Sequence, residues 1–243
     1  MEIRIIHFYP DLMSLYGSYA NISVLRRMLE QLGNTVTVEF IRPGAAEPGL
    51  IDPDFIFMGA GTERSQKAAL ADFTRYNSAI KAAAENGVVM LFCGTAMELL
   101  GKSITDSDGQ IHEGISLAEF TSVQSAKRLV EDVYGHTDLY PDAVVGFMNK
   151  SSTITGVETP LLTSVDFGFG NEGKNTAEGF HRNNVFASHL TGPILVKNPR
   201  LLEAVAAAIY AHRGEPLPEQ WPVDTYAENG YAITEEQLKL RCQ

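Results

Sequence analysis

One cysteine of the sequence has the surroundings of a nucleophile. Cys93 ends the apolar run Val88–Phe92 and is followed by Gly94 and by residues 95–100, which are compatible with a helix. A strand, a sharp turn and a helix form a nucleophile elbow, which holds the side chain above the sheet at the N-terminus of the next helix. A helix N-terminus favours the thiolate, which is the reactive form. The alternative is a structural cysteine, because free cysteine often packs as a small hydrophobe.

A nucleophilic cysteine needs a base, and the chain has six histidines. His189 follows the strand-like segment Val185–Ser188, so its side chain is expected at the carboxyl edge of a sheet. Open α/β sheets place their chemistry at that edge. His7 ends the first strand-like segment and competes with His189 on the same argument. The pattern favours His189 and leaves a purely structural histidine as the alternative.

Glycines follow another strand-like segment. Gly59, Ala60 and Gly61 come between a short apolar run and a helical stretch, so their amides could face an oxyanion together with the amide of Gly94. A tight turn that needs glycine for steric reasons is the alternative. The Gly-x-x-x-x-Gly-Lys-Ser/Thr phosphate loop is absent. The glycine-rich segment 168–173 does not match the dinucleotide fingerprint, which argues against a nicotinamide cofactor.

Composition limits the classes of partner. The chain has 243 residues with 19 Lys and Arg against 30 Asp and Glu, a formal net charge of −11. This acidic balance argues against nonspecific nucleic-acid binding, which needs basic residues to replace phosphate counterions. The two cysteines, Cys93 and Cys242, cannot build a disulfide framework, and no Cys-x-x-Cys pair indicates zinc. We therefore expect no metal site, and we expect Cys242 to be incidental.

Apolar periodicity predicts the elements that position these residues. Helices are predicted over residues 21–32, 65–86 and 198–211, from apolar positions at three- and four-residue spacing and from Pro199 in a first turn. Strands and helices that alternate in this way predict an α/β fold, a three-layer sandwich with a mostly parallel central sheet. The predicted strands of this sheet are Glu2–His7, Thr35–Ile41, Phe55–Met58, Val88–Phe92 and Val185–Ser188.

The remaining segments are harder to place. Residues 104–164 are rich in short strand-like runs, with candidates at 127–134, 144–148 and 161–164. We expect one domain over residues 1–213 and a tail over 214–243 that packs on this domain or on a partner. The tail contains Trp221 and a short amphipathic stretch at 235–240. No apolar run approaches the roughly 20 residues needed to cross a bilayer, and the first residues resemble a strand rather than a signal peptide, so we expect a cytoplasmic protein.

Several segments together resemble a known family. The sequence is similar to the class I glutamine amidotransferases, which have a flavodoxin-like fold, and to their cobyric-acid-synthase-like branch. In that branch a Cys–His pair acts without the usual adjacent Glu. Within the branch it is similar to the glutaminase subunits of lipid II isoglutaminyl synthases. The matching segments are Leu91–Gly94 with Leu99–Gly101, Tyr9–Gly17 with Asn21, Gly168–Gly173 with Glu178–Gly179, and His189–Leu195 with Asn198–Pro199.

The resemblance implies a glutaminase mechanism with L-glutamine as substrate. Cys93 would attack the side-chain carboxamide and form a thioester. The amides of Gly94 and of the Gly59–Gly61 loop would bind the oxyanion, and His189 would transfer the protons. Arg128 occupies the position of an arginine that contacts substrate, and its guanidinium suits the α-carboxylate of glutamine. A surface ion pair is the alternative role for Arg128.

The resemblance also implies a partner. Ammonia would pass to a Mur-ligase-like (MurT-like) synthetase subunit in a heterodimer. The synthetase would carry ATP and Mg²⁺, meet lipid II, and amidate the D-glutamate α-carboxyl to D-isoglutamine. This chain itself would need no cofactor. Two alternatives are an amidotransferase that serves another synthetase, such as one acting on a corrinoid, and an inactive amidotransferase-like scaffold.

The chain departs from the family pattern near both expected catalytic residues. Leu91 and Thr95 stand where the family has small residues around the cysteine. The histidine lies in Ala187-Ser188-His189-Leu190 where a Tyr-x-His-Gly-like run is expected. A bulkier elbow could alter access of glutamine to the thiol. Glu172 and Glu178 are the candidates to orient the histidine, because they are near it in sequence.

Overall fold

The computed structural model describes residues 1–50 and 52–242. The strands are β1 (Glu2–Phe8), β2 (Thr35–Ile41), β3 (Phe55–Met58), β4 (Val89–Cys93), β5 (Ser103–Thr105), β6 (Ile111–Glu113), β7 (Thr121–His136), β8 (Val144–Thr155), β9 (Ser164–Phe167), β10 (Phe180–Arg182), β11 (Val185–Ser188) and β12 (Leu190–Thr191). The α-helices are α1 (Ala20–Gln31), α2 (Glu63–Phe73), α3 (Asn77–Glu85), α4 (Ile194–Lys197), α5 (Pro199–Arg213) and α6 (Thr225–Arg241). Short 3-10 segments span Leu15–Gly17, Thr74–Tyr76 and Gly94–Leu100.

A mostly parallel sheet lies at the centre of the fold. Its strand order is β10-β11-β4-β3-β1-β2. Strands β10 and β11 pair antiparallel, and the other neighbours in this order pair parallel. Every residue of β3 and β4 is buried, because helices cover both faces. One apolar core lies between the sheet and α2 and α3, and a second lies between the sheet and α1 and α5. The α/β sandwich predicted from sequence is confirmed.

The strand order also locates a crevice. From β1 the chain moves to β2 at one edge and then returns to β3 on the other side of β1. Such a reversal opens a crevice beyond the carboxyl ends of the strands, where open α/β sheets bind ligands. Gly59, Gly94 and His189 all follow strands of this sheet, so each lies at its carboxyl edge.

A second sheet is formed by the middle of the chain. It has the order β12-β8-β7-β5-β6, with β9 paired to β7, and its pairings are antiparallel except that of β5 with β7. The chain leaves the first sheet at Ser188 and enters the second at Leu190, which pairs with Met148. His189 is therefore the single residue that joins β11 of one sheet to β12 of the other.

The structure corrects several predicted elements. The helix predicted over residues 65–86 is interrupted by the 3-10 segment Thr74–Tyr76. The break lets Phe73 and Tyr76 both pack on Phe8, at ring-centroid distances of 5.2 and 5.3 Å. Tertiary packing has overridden a continuous helical pattern here. The strands of the second sheet are also longer or shifted relative to the prediction: β7 and β8 extend well beyond 127–134 and 144–148, and β9 begins where the predicted strand 161–164 ends.

The C-terminal residues pack on the rest of the chain. Gly214 ends α5 with a left-handed φ of 68°, and Asp224 caps the N-terminus of α6. Helix α6 covers the second sheet through the buried Leu238, and it is longer than the predicted stretch at 235–240. The Trp221 ring meets the Tyr210 ring of α5 edge to face at 6.3 Å. Within the described residues, no helix is both long and apolar enough to span a membrane.

The aromatic contacts around Phe73 predict a stability effect. Phe73 is fully buried and its ring contacts Phe8, Tyr9 and Phe92. We expect Phe73→Ala to lower the free energy of unfolding by about 3–5 kcal/mol, because the substitution leaves a cavity. Urea denaturation measures the loss. Tyr226→Ala is the control, since this side chain is 89% exposed and should change stability by less than about 0.5 kcal/mol. Equal losses in the two variants would contradict this assignment of the core.

Candidate active site

Cys93 lies at the carboxyl end of β4 with its thiol buried. The residue is fully inaccessible, and Asn21 at the start of α1 directs its amide nitrogen at the sulfur from 3.8 Å. The side chain joins the apolar core beneath α1 and α5. Burial, with a smaller contribution from the charge of Glu178, raises the pKa of the thiol far above its ordinary value. In this conformation the thiol is a weak nucleophile.

The turn after Cys93 differs from the predicted elbow. Cys93 has ordinary extended dihedral angles, φ −110° and ψ 145°, and the left-handed conformation falls on Gly94 with φ +59°. The following segment is a 3-10 turn, Gly94–Leu100, rather than an α-helix. The expectation that the thiol stands above the sheet at a helix N-terminus is thus wrong for this conformation. An extended residue continues the alternation of β4, which turns the Cys93 side chain to the buried face shared with Leu91.

The two predicted oxyanion segments lie side by side. A Cβ atom placed on Gly94 would come within 2.6 Å of the Ala60 Cβ, so only glycine permits this approach. Two amides of the loop already have partners: Ala60 N donates to Ser18 Oγ at 3.3 Å, and Gly61 N donates to Thr95 Oγ1 at 3.0 Å. The amide of Gly94 lies at the first position of the 3-10 segment, where a helical turn supplies no acceptor.

His189 lies beside Cys93 at the same sheet edge. Ser188, the preceding residue, is paired directly with Cys93 in the β11–β4 ladder. The imidazole is almost fully buried, and its Nε2 lies 3.2 Å from Oε1 of Glu98. Its Nδ1 is buried and has no hydrogen-bond partner among the residues that the structure describes. His189 is the histidine that sequence reasoning favoured; the rival, His7, is also buried but packs between the rings of Phe40 and Phe57.

Glu98 is the acidic residue that meets the imidazole directly. It lies in the 3-10 segment after Cys93 and is 1% exposed. Its carboxylate accepts from Ser152 Oγ at 2.7 Å, from Ser122 Oγ at 2.8 Å and from Gln124 Nε2 at 3.1 Å. Burial raises the pKa of Glu98, but the hydrogen bond and charge of His189 and the neighbouring donors outweigh burial and lower the pKa to about 2. Glu98 is therefore an ionised carboxylate at neutral pH.

Two more buried charged groups surround the pair. Glu178 accepts hydrogen bonds from the His189 amide at 2.7 Å and from Ser188 Oγ at 2.8 Å, and burial raises the pKa of its carboxyl. Lys150 donates to the carbonyl oxygens of Gly170 and Asn171 at 2.6 and 3.0 Å. Burial, opposed by the charges of Glu178 and Glu98, lowers the pKa of Lys150 to about 8. Buried charges of both signs in one cluster are a feature typical of functional sites.

A cavity of about 100 Å³ opens next to these groups. Arg128 lies at its rim, where it donates to Glu63 Oε1 at 2.6 Å and to Asn149 Oδ1 at 2.7 Å. Arg128, the arginine predicted to bind substrate, is half-exposed at the cavity and is paired with Glu63. The lining residues are Leu15, Tyr16, Ala60, Gly61, Thr62, Glu63, Gly94, Thr95, Arg128, Asn149, Lys150, His189 and Thr191.

The structure brings together most residues that the sequence singled out. His189, Gly94, Ala60, Gly61 and Arg128 all line the cavity, whereas Cys93 lies just behind its wall. Of the two acids suggested by sequence proximity to the histidine, Glu178 contacts its amide and Glu172 is exposed to solvent.

Sequence reasoning did not identify Glu98 or Lys150. The signal for Glu98 was a lone acid in the apolar stretch Ala96–Leu100, where an unpaired carboxylate would be costly. No comparable signal marks Lys150, because the residues on either side of it, Asn149 and Ser151, are also polar. In the described part of the chain, no group of three or more His, Cys, Asp or Glu residues is arranged to hold a metal ion.

Solved structures with the same architecture identify the fold. The PurLQS structure from Thermotoga maritima superimposes with a TM-score of 0.52 at 11% identity, covering 87% of this chain and 97% of that one. The glutaminase domain of Trypanosoma brucei CTPS with bound acivicin gives 0.53 at 12% identity, covering 90% and 96%. At such identities the likeness concerns the fold alone, which is that of the class I glutamine amidotransferases.

Sequence comparison then gives the family. Residues 4–199 match the model of the CobB/CobQ-like glutamine amidotransferase domain, and the chain belongs to this family. A Staphylococcus aureus protein named lipid II isoglutaminyl synthase (glutamine-hydrolyzing) subunit GatD is 29% identical over 93% of this chain and 92% of its own length. The GatD protein of Streptococcus pneumoniae is 31% identical over 82% of this chain and 77% of its own length. The family resemblance inferred from the sequence is thereby confirmed.

The buried thiol predicts slow alkylation of the chain on its own. We expect iodoacetamide at pH 8 to modify Cys242 at least about tenfold faster than Cys93, because burial keeps Cys93 protonated and inaccessible, whereas Cys242 is exposed. Peptide mass spectrometry over time measures the two rates. In urea, where the fold is lost, the rates should converge. Equal rates in the folded protein would contradict the burial of Cys93.

Proposed function

We propose that this chain is the glutamine-hydrolysing subunit of a lipid II isoglutaminyl synthase. The observation that carries the proposal is the similarity to two proteins of that name, one of them over 93% of this chain. The amidotransferase family match over residues 4–199 is consistent with it. The site adds chemical support, since a cysteine, a histidine and an arginine lie at or beside one cavity at the carboxyl edge of the sheet.

The proposed reaction proceeds through a thioester. The Cys93 sulfur attacks the side-chain carboxamide carbon of glutamine while its proton passes to His189. The imidazolium returns that proton to the amide nitrogen, the C–N bond breaks and ammonia leaves. A water molecule then gives a proton to the same imidazole and attacks the thioester, which releases glutamate and restores the thiol. The backbone amide of Gly94, beside Ala60 and Gly61, would stabilise the oxyanion of both tetrahedral intermediates.

Arg128 is proposed to bind the α-carboxylate of glutamine. Its guanidinium lies at the cavity rim and is already held by Glu63 and by both the side chain and the carbonyl of Asn149. These contacts fix the planar group before a ligand arrives, which reduces the entropy lost on binding. A pair between guanidinium and carboxylate can be bidentate, which orients the amino acid as well as attracting it.

This mechanism requires the thiol to reach the cavity. Cys93 is extended and buried, whereas Gly94 already has a left-handed φ. Because glycine tolerates a wide range of φ and ψ, Gly94 could accommodate a rotation of the backbone at Cys93 that turns the thiol toward the cavity. Binding of glutamine or of the partner would supply the free energy for the rotation, if either binds the rotated form more tightly.

The partner and its chemistry are part of the proposal. Released ammonia would pass to a Mur-ligase-like synthetase in a heterodimer, which would amidate the D-glutamate α-carboxyl of lipid II. ATP and Mg²⁺ would act on that subunit. The name of the relatives, a subunit of a synthase, supports a partner for this chain as well. A cytoplasmic location is proposed on the same basis, since the ATP for that amidation is cytoplasmic.

One observation favours a second candidate function, a scaffold without glutaminase activity. The thiol is buried, its pKa is raised, and it does not line the cavity in the described conformation. A chain that had lost the reaction would need no access from the cavity to the cysteine. The scaffold and the glutaminase make opposite predictions for glutamate release by the complete complex.

Substitution of the cysteine separates these functions. In the complex with the partner ligase, we expect Cys93→Ala to lower glutamate release from L-glutamine on the order of 10³-fold or more, because the nucleophile is lost. A coupled glutamate dehydrogenase assay measures the rate. Cys242→Ala is the matched control and should retain the wild-type rate. If Cys93→Ala kept full activity, the thioester mechanism would be excluded. If the wild-type complex released no glutamate, the scaffold would be the correct reading.

Substitution of the arginine tests substrate binding. We expect Arg128→Ala to raise the KM for glutamine about 10- to 100-fold, because a charge-assisted hydrogen bond contributes about 1.5–3 kcal/mol. Steady-state kinetics of the complex gives KM and kcat separately. Arg26→Ala is the control, since Arg26 forms an exposed ion pair with Glu30 on α1. A KM unchanged by Arg128→Ala would show that the arginine only pairs with Glu63.

A further inference from the structure

The two nitrogens of the His189 ring have different environments. Nε2 faces Glu98 at 3.2 Å, whereas Nδ1 is buried without a hydrogen-bond partner among the described residues. A neutral imidazole has one N–H donor and one acceptor nitrogen, and the partner of one nitrogen decides the form of the other. The environment of Glu98 therefore determines which nitrogen of His189 can act as a base.

The contacts of Glu98 define it as an acceptor. Three donors besides the imidazole point at its two oxygens: the hydroxyls of Ser122 and Ser152 and the amide of Gln124. An ionised carboxylate has only acceptor sites, so the ring nitrogen that approaches it must carry a hydrogen. This places the hydrogen on Nε2 and leaves a lone pair on Nδ1.

The unpartnered nitrogen and the thiol of Cys93 both have Glu178 as a neighbour. Nδ1 is 4.0 Å from Oε1 of Glu178, beyond hydrogen-bond distance, and the charge of Glu178 also acts on the thiol of Cys93. The ladder pairing of Ser188 with Cys93 keeps the histidine and the cysteine at adjacent positions of neighbouring strands. The residue that carries the proton acceptor and the nucleophile are thus neighbours at one sheet edge.

We propose that Glu98 is a positioning residue that holds His189 in its Nε2–H form, so that Nδ1 is the base and acid of the glutaminase reaction. The third member of the catalytic group then comes from the segment after the cysteine, not from the loop before the histidine. In the reaction, the Cys93 proton moves to Nδ1 and from there to the departing ammonia. The proton of the attacking water later moves to Nδ1 and then to the sulfur, which restores the thiol. Nε2–H stays bound to Glu98 throughout.

Other charged groups around the ring do not replace Glu98. Glu178 binds the backbone amide of His189 rather than a ring nitrogen within hydrogen-bond distance. The ammonium of Lys150 is occupied by two backbone carbonyls, of Gly170 and Asn171. The sulfur of Cys93 accepts from the side-chain amide of Asn21. Among the described residues, Glu98 is the carboxylate within hydrogen-bond distance of the imidazole.

The tautomer can be measured directly. In protein labelled with ¹⁵N-histidine, the two ring nitrogens of His189 give separate NMR signals, assigned by their absence in His189→Gln. We expect the Nε2–H form in the wild-type chain and a loss of that preference in Glu98→Gln, because the amide group of glutamine can donate as well as accept. A dominant Nδ1–H form in the wild type would overturn the proposal, and this result does not depend on an activity assay.

Kinetics of the complex tests the catalytic consequence. We expect Glu98→Gln to lower kcat on the order of 10²-fold or more while KM for glutamine stays within about threefold, because general acid–base catalysis is impaired and substrate contacts are kept. Asp106→Asn is the matched control: Asp106 also pairs with a histidine, His112, at 3.0 Å, but neither residue lines the cavity. It should leave both constants unchanged.

The inference rests on the proposed glutaminase function. The possible outcomes distinguish a failure of that function from a failure of the role of Glu98. A wild-type complex without glutaminase activity overturns both. An active wild type with an equally active Glu98→Gln overturns the role of Glu98 alone. A loss of kcat in Glu98→Gln that coincides with the altered tautomer supports it, whereas a loss with an unchanged tautomer shows a merely structural effect and overturns it.

Discussion

The buried pairing of Glu98 with His189 connects the two halves of the molecule. His189 is the one residue between a strand of the parallel sheet and a strand of the antiparallel sheet. Glu98 reaches it from the segment that follows β4 and at the same time accepts hydrogen bonds from Ser122 of β7 and Ser152 of β8. One carboxylate thus fixes the distance between the sheets at the place where the cavity forms. Loss of the imidazole would leave this buried carboxylate with one donor fewer, and a hydrogen bond to a charged group typically contributes about 1.5–3 kcal/mol.

Burial of this many charges is tolerated because each has defined partners. Glu178 binds the amide and the hydroxyl at the end of β11, and Lys150 binds the carbonyls of a glycine-rich loop. The same contacts set the electrostatics of the site: the donors around Glu98 keep it ionised, and burial brings the pKa of Lys150 down to about 8. A cluster of this kind is rigid, since every group that moves would leave another unsatisfied. The thiol of Cys93 is held less firmly by polar contacts, since its contact with the Asn21 amide is 3.8 Å long.

The contrast between a rigid base and a buried nucleophile has a functional meaning. An extended cysteine contributes to the core beneath α1, which stabilises the chain when no substrate is bound. The left-handed backbone conformation falls on Gly94, where it costs little because glycine has no Cβ. In the proposed cycle, the thiol would leave the core only when glutamine or the partner compensates for the lost burial. Such coupling would keep glutamine from being hydrolysed without use of the ammonia.

The amino-acid sequence by itself determined the strands of the parallel sheet, their order of alternation with helices, and the location of Cys93, His189 and the glycine loops at one sheet edge. These follow from apolar runs and turn residues, which act locally. Only the tertiary structure decided that Glu98 meets the histidine, because that contact joins residues 91 positions apart across two sheets. It also decided the direction of the Cys93 thiol, since a single pair of backbone angles at a strand end turns a side chain toward the core or the cavity, and no sequence pattern specifies that angle.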